Sequence, residues 1–194
     1  MNRATRPPPA TLRLFAAVEP DVAARTALCA LQREWVQCAG PIHGLRPLPR
    51  PSLHMTLRFF GATPATRIEL LADGLQELAA RATPCTAHIQ GIEYWPPPAP
   101  RVVVAVFDEP SQLQELATVI EEFARQLGFP PELRPFRAHV TLARSTGAPL
   151  PAYTNPVPQL PLPVRNVSLM QSRTDPAGAQ YHALHRFALR APAA

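Results

Sequence analysis

Two tetrapeptides in this chain carry side chains able to move protons: His54-Met55-Thr56-Leu57 and His139-Val140-Thr141-Leu142. Both stand in apolar, β-favouring surroundings. In a strand successive side chains point to opposite faces, so each His shares a face with the Thr two residues on, while Met, Val and Leu turn to a core. One such phrase is weak evidence, because short patterns recur by chance; two in matching context are specific. If the two faces meet in one cleft, a neutral imidazole accepts a proton on one side of a reacting centre and a protonated one donates on the other. That suits displacement at phosphorus, with a water activated and a leaving alkoxide protonated. The hydroxyls of Thr56 and Thr141 suit non-bridging phosphate oxygens, and Arg144, near the end of the second strand, could clamp the phosphate. The residues themselves leave open which imidazole is acid and which is base.

The elements that must position these groups also occur twice. Leu12 to Val18 reads as a strand, Glu19-Pro20-Asp21 opens a helix with the stripe Ala24, Leu28, Leu31 and Trp35, and a Gly/Pro-rich link over 39–51 leads to the first motif. After a second helix from Thr63-Pro64 to Arg81 and a strand over 87–95, the order restarts. Arg101 to Phe107 is a strand, and Glu109-Pro110-Ser111 opens a helix with the stripe Leu113, Leu116, Ile120, Phe123 and Leu127. Gly128 stops it, and a Pro-rich link reaches the second motif. His54 follows Glu19 by 35 residues and His139 follows Glu109 by 30. This is an internal duplication, which implies two lobes about an approximate two-fold in an α+β fold. Residues 145–163 read as a Pro-rich loop and two late strands, near 164–173 and 180–190, close the fold. Residues 1–10 read as a disordered lead-in, and 11–194 as a single domain of two interleaved lobes. Strict alternation puts Arg58 on the face of His54, exposed, and Phe59 in the core; Phe136 is expected to pack rather than stack a base.

The 194 residues are 46% hydrophobic, ample for a core, and the net charge is +5. All 19 basic residues are Arg. Without Lys, a covalent lysyl-nucleotide, a Schiff base and a P-loop are excluded. Arginines alone suit bidentate contacts to phosphate, so RNA and other anionic substrates fit. Cys29, Cys38 and Cys85 are odd in number and form no C-x-x-C, which points to a reducing, cytoplasmic compartment and no disulfide or zinc framework. The apolar run at 12–18 is too short to span a membrane. No metal-ligand set is evident: His182 and His185 are three apart in a strand, and His43 and His88 lack partners in sequence.

The two H-x-T-hydrophobic motifs, 85 residues apart in a duplicated chain of this length, resemble the 2H phosphoesterase superfamily. More narrowly, Leu12 to Arg190 is similar to the bacterial RNA 2′,3′-cyclic phosphodiesterases, also known as the 2′-5′ RNA ligase family. The landmarks are Arg13 to Val18, Leu53 to Leu57 with Phe60-Gly61, Leu127-Gly128-Phe129-Pro130, and Arg134 to Arg144. The resemblance implies a bilobal fold with antiparallel sheets flanked by helices and a central cleft. It implies an enzyme that hydrolyses RNA 2′,3′-cyclic phosphate ends to 2′-phosphomonoesters without metal or cofactor, with ATP-independent 2′-5′ ligation as the related reaction. It maps the proton donor onto His54, the acceptor onto His139, and phosphate binding onto Thr56, Thr141 and Arg144. The chain is expected to act as a monomer. Two departures stand out. Ala138 replaces the usual Pro before the second His, which is expected to loosen the approach to His139, and the link at 43–53 lacks a Trp-Val. The competing readings are a 2H phosphodiesterase for 2′-5′ oligonucleotides or a small cyclic nucleotide, and a non-catalytic RNA-end binding module.

Overall fold

The computed structural model describes residues 10–146, 149–175 and 178–190. The lead-in expected over residues 1–10 lies, apart from Ala10, outside them. Among the described residues the order is β1 (Thr11–Val18), α1 (Val22–Ala39), β2 (Leu45–Pro47), β3 (Met55–Pro64), α2 (Ile68–Arg81), β4 (Cys85–Trp95), β5 (Val102–Phe107), α3 (Ser111–Gln126), β6 (His139–Ser145), β7 (Pro161–Val164), β8 (Asn166–Asp175) and β9 (Gly178–Ala188). Two of these helix ends follow sequence chemistry. The Asp21 side chain accepts the Ala24 N–H at 2.8 Å, capping α1. Gly128, at φ +80°, lets the chain leave α3 with Gly128 N–H on Arg125 O and Phe129 N–H on Ala124 O, a turn that a side chain at Gly128 would strain.

The strands pair antiparallel in the order β7-β4-β5-β6-β3-β1-β8-β9, with β2 added to β6. The order divides into β3-β1-β8-β9 and β6-β5-β4-β7, two lobes joined where β3 meets β6. The one residue pair at that seam is Met55 with Val140, and each is the middle residue of its His-x-Thr. A rotation exchanging the lobes therefore carries one motif onto the other. The helices cross over. α1 leaves the first lobe and packs on β6 and β7 of the second, whereas α3 leaves the second and packs chiefly on β3 of the first, keeping a smaller contact with β4 of its own lobe. The stripes read from sequence do this work: Leu28, Leu31, Trp35, Leu113 and Ile120 are at most 1% exposed, each contributing about 2 kcal/mol of apolar burial.

Both motif strands depart from strict pairing just after the Thr. Ala16 pairs with Arg58 and Ala17 with Thr56, leaving Leu57 as an extra residue; Val103 pairs with Ala143 and Val104 with Thr141, leaving Leu142. Each is a β-bulge, and a bulge shifts the alternation of every side chain beyond it. This corrects two expectations. Arg58 is buried on the helix side, ion-paired with Glu121 of α3 and donating to Phe59 O and Pro130 O. Phe59 is 54% exposed, its ring 5.7 Å from that of Phe15.

Candidate active site

The seam pair fixes what lies beside what. With Met55 opposite Val140, antiparallel geometry sets His54 beside Thr141 and Thr56 beside His139, with the imidazoles diagonal at roughly 7–8 Å between backbones. All four residues are partly exposed, so all are open to a ligand. Among the described residues neither Thr hydroxyl has a hydrogen-bond partner, which leaves both free for one.

Each imidazole is held in the same way. His54 Nδ1 lies 2.7 Å from Ser52 O, and His139 Nδ1 lies 2.7 Å from Arg137 O. A carbonyl only accepts, so both Nδ1 atoms carry the hydrogen and both Nε2 atoms are the free, proton-exchanging nitrogens. These acceptors are backbone atoms two residues before each His and leave no mark in residue types.

The surroundings of the two rings differ. His54 packs against Phe15 at 4.9 Å and edge-on to Tyr181 at 4.7 Å. Burial depresses its pKa to about 4, the Ser52 carbonyl opposes this, and the charges of His139 and Arg144 add to the depression. His139 packs edge-on to Trp95 at 4.6 Å. Arg137 lies over Trp95 and is gripped by Glu93 at 2.8 and 3.1 Å, and Trp95 Nε1 also donates to Glu93. Burial lowers the His139 pKa too, with the Arg137 carbonyl opposing, the Arg137 charge adding and Glu93 opposing. Both imidazoles are therefore neutral at pH 7 in the empty cleft.

Arg144 stands five residues after His139, an odd offset that strict alternation would turn away. The bulge at Leu142 restores it to the cleft face, and its charge is felt at His54. Ala138 does not loosen the approach to His139. It is 2% exposed, its N–H donates to Glu109 Oε1 at 2.9 Å, and its carbonyl accepts Phe107 N–H at 2.9 Å. Phe136 is partly buried against the main core, as expected. Reasoning from sequence missed Phe15, Trp95 and Tyr181, which arrive from β1, β4 and β9; only their aromatic character hinted at them. Among the described residues no group of three or more His, Cys, Asp or Glu is placed to hold a metal, and no helix is long and apolar enough to cross a membrane.

This arrangement has counterparts. The chain is 33% identical over 186 residues to a Thermus thermophilus protein named RNA 2′,3′-cyclic phosphodiesterase, covering 92% of this chain and 91% of that one. An Archaeoglobus fulgidus protein of the same name is 28% identical over 134 residues, 69% of this chain and 72% of its own. Among solved structures, a Thermus thermophilus protein superposes with a TM-score of 0.83 at 31% identity, covering 94% of this chain and all of that one. The apo crystal structure of E. coli LigT gives 0.75 at 26% identity, covering 93% and 98%. The family model for the 2′-5′ RNA ligase superfamily matches residues 19–176, a span that takes in both His-x-Thr motifs and the seam between them, and the chain belongs to that superfamily.

Proposed function

We propose that this protein is an RNA 2′,3′-cyclic phosphodiesterase in which His54 is the proton donor and His139 the proton acceptor. The observation that carries the reading is the Met55–Val140 pair, which sets two imidazoles and two unpartnered hydroxyls around one space. His139 Nε2 takes a proton from water as its oxygen attacks phosphorus. The P–O3′ bond breaks, and His54 Nε2 gives its proton to O3′, leaving a 2′-phosphomonoester. Thr56, Thr141 and Arg144 hold the non-bridging oxygens as charge builds on them. An RNA 5′-hydroxyl in place of water gives 2′-5′ ligation by the same steps, with no ATP.

The acid must arrive at the reaction charged, although His54 is neutral in the empty cleft. An entering phosphodiester anion offsets Arg144 and adds its own negative charge, so it raises the His54 pKa and brings the proton on with substrate. The relatives' names support the substrate, and the E. coli LigT structure complexed with 3′-AMP, 26% identical at a TM-score of 0.73, supports a nucleotide in the cleft. We place the protein in the cytoplasm, as a monomer of one domain over residues 11–194 built from two duplicated lobes. The test is product analysis on an RNA ending in a 2′,3′-cyclic phosphate, with EDTA present. The expected product is the 2′-phosphate at undiminished rate. A 3′-phosphate product, or activity restored only by a divalent ion, refutes the mechanism.

A further inference from the structure

A groove of about 470 Å³ opens on the first lobe, lined by Glu19, Arg25, Arg50, Tyr181, His182 and Arg186 among others. Tyr181 separates it from the imidazole, its ring 4.7 Å from that of His54. The groove thus begins one aromatic side chain from the reacting centre. That is the scale of a neighbouring nucleotide rather than of another oxygen on the same phosphate.

Three guanidinium groups and one carboxylate line it, and they are not equivalent. Glu19 accepts from Arg186 at 2.6 and 3.0 Å and from Ser168 at 2.5 Å, so the carboxylate and Arg186 compensate each other. Arg25 and Arg50 have no ion-pair partner among the described residues. Arg25 donates to the carbonyls of Arg50, Leu53 and Pro20, and Arg50 donates to Thr26 Oγ1 at 3.0 Å. Neutral groups hold both side chains in place, and although the Arg25 charge reaches Glu19, neither guanidinium is paired with a carboxylate among the described residues. Such pre-set, unpaired guanidinium groups suit an anion, because the cost of ordering them is already met by the fold. On the other side of the cleft Arg137 is spent on Glu93.

We infer that this groove binds the phosphodiester joining the terminal nucleotide to the rest of the RNA. The preferred substrate is then an oligonucleotide end rather than a cyclic mononucleotide. The inference rests on the phosphodiesterase reading above for its substrate, and its test separates the two. Arg25 holds the segment leading into His54, so Arg50→Gln is the informative substitution: it removes a charge at an exposed position.

The affinities of adenosine 2′-monophosphate and of ApA carrying a terminal 2′-phosphate are measured by titration calorimetry, for the wild type and Arg50→Gln, at two salt concentrations. The wild type is expected to bind the dinucleotide about tenfold more tightly, as one charge-assisted contact in an open groove provides. Its salt slope should be steeper by roughly one phosphate's share. Arg50→Gln is expected to abolish both differences. Equal affinities in the wild type, or an advantage that survives the substitution, overturn the inference. So does a loss that falls equally on both probes. Turnover of the matching cyclic substrates is followed in parallel. Failure to hydrolyse either one refutes the phosphodiesterase reading, while the affinity ratio still decides the groove.

Discussion

The two lobes share a backbone plan and differ in what braces it. Each motif strand bulges after its Thr, and each bulge is met from behind by the helix that crossed over from the other lobe. In the second lobe the brace is neutral: buried Gln32 of α1 donates to Leu142 O at 2.6 Å and to Leu48 O at 2.9 Å, while Ala143 packs beside Trp35. In the first lobe the position of Ala143 is taken by Arg58, which reaches Glu121 of α3. Beyond the bulges Phe59 occupies the place that Arg144 holds in the other lobe. The repeated glutamates have parted as well, for Glu109 holds the Ala138 N–H next to His139 and Glu19 holds Ser168 and Arg186. A duplicated backbone can thus keep two imidazoles in register while their neighbours specialise. One ring sits among aromatics beside a basic groove, and the other sits beside an Arg–Glu pair.

The largest effect expected of either lobe is catalytic. His54→Ala and His139→Ala should each lower single-turnover rates on a cyclic-phosphate RNA by roughly 10²–10⁴. The double variant should lose little beyond the worse single one, as the proposed single displacement requires. A variant of either His with near-wild-type turnover would break the equivalence of the lobes at its centre.

The braces should differ in stability. Arg58→Ala deprives Glu121 and two carbonyls of the guanidinium and should cost about 3 kcal/mol in urea unfolding, at the low end for a broken buried pair because Glu121 keeps some solvent and the Glu132 N–H. Gln32→Leu, which strips two carbonyls of a neutral donor, should cost about 2 kcal/mol. The reverse order would mean that the charged brace adds nothing over the neutral one.

The pH dependence sharpens the contrast between the two rings. A His whose folded pKa lies below its unfolded value of about 6.5 stabilises the fold fully above that pH and loses the contribution as pH falls toward the folded pKa. For His54, at about 4, roughly 2–3 kcal/mol should disappear between pH 6.5 and 4. His54→Gln should flatten that slope more than His139→Gln. In rate profiles, kcat/KM reports the free enzyme and should peak on the acid side of 6.5, whereas kcat, reporting the complex, should peak at higher pH. Coincident optima would mean that phosphate does not lift the imidazole pKa.

The smallest effects separate the residues beyond the bulges. Arg144→Ala should raise KM about tenfold and reduce the salt slope by roughly one. Phe59→Ala should leave that slope unchanged, since no charge is lost.

The sequence by itself determined the repeat, the helix stripes, the stop at Gly128 and the chemical identity of His54, Thr56, His139 and Thr141, because these depend on residue type and on periods along the chain. It could not determine facing beyond the Thr residues. Arg58 and Phe59 were counted onto the wrong sides because a bulge adds one residue, and the backbone adopts it where a partner strand and a crossing helix hold it, 110 residues away in the case of Gln32 and Leu142. Nor could it place Phe15, Trp95 and Tyr181 around the imidazoles, or show that Glu109 secures Ala138. Those contacts join strands distant in sequence, and the surroundings that depress the two pKa values exist only once the strands are paired and water is displaced from around the rings.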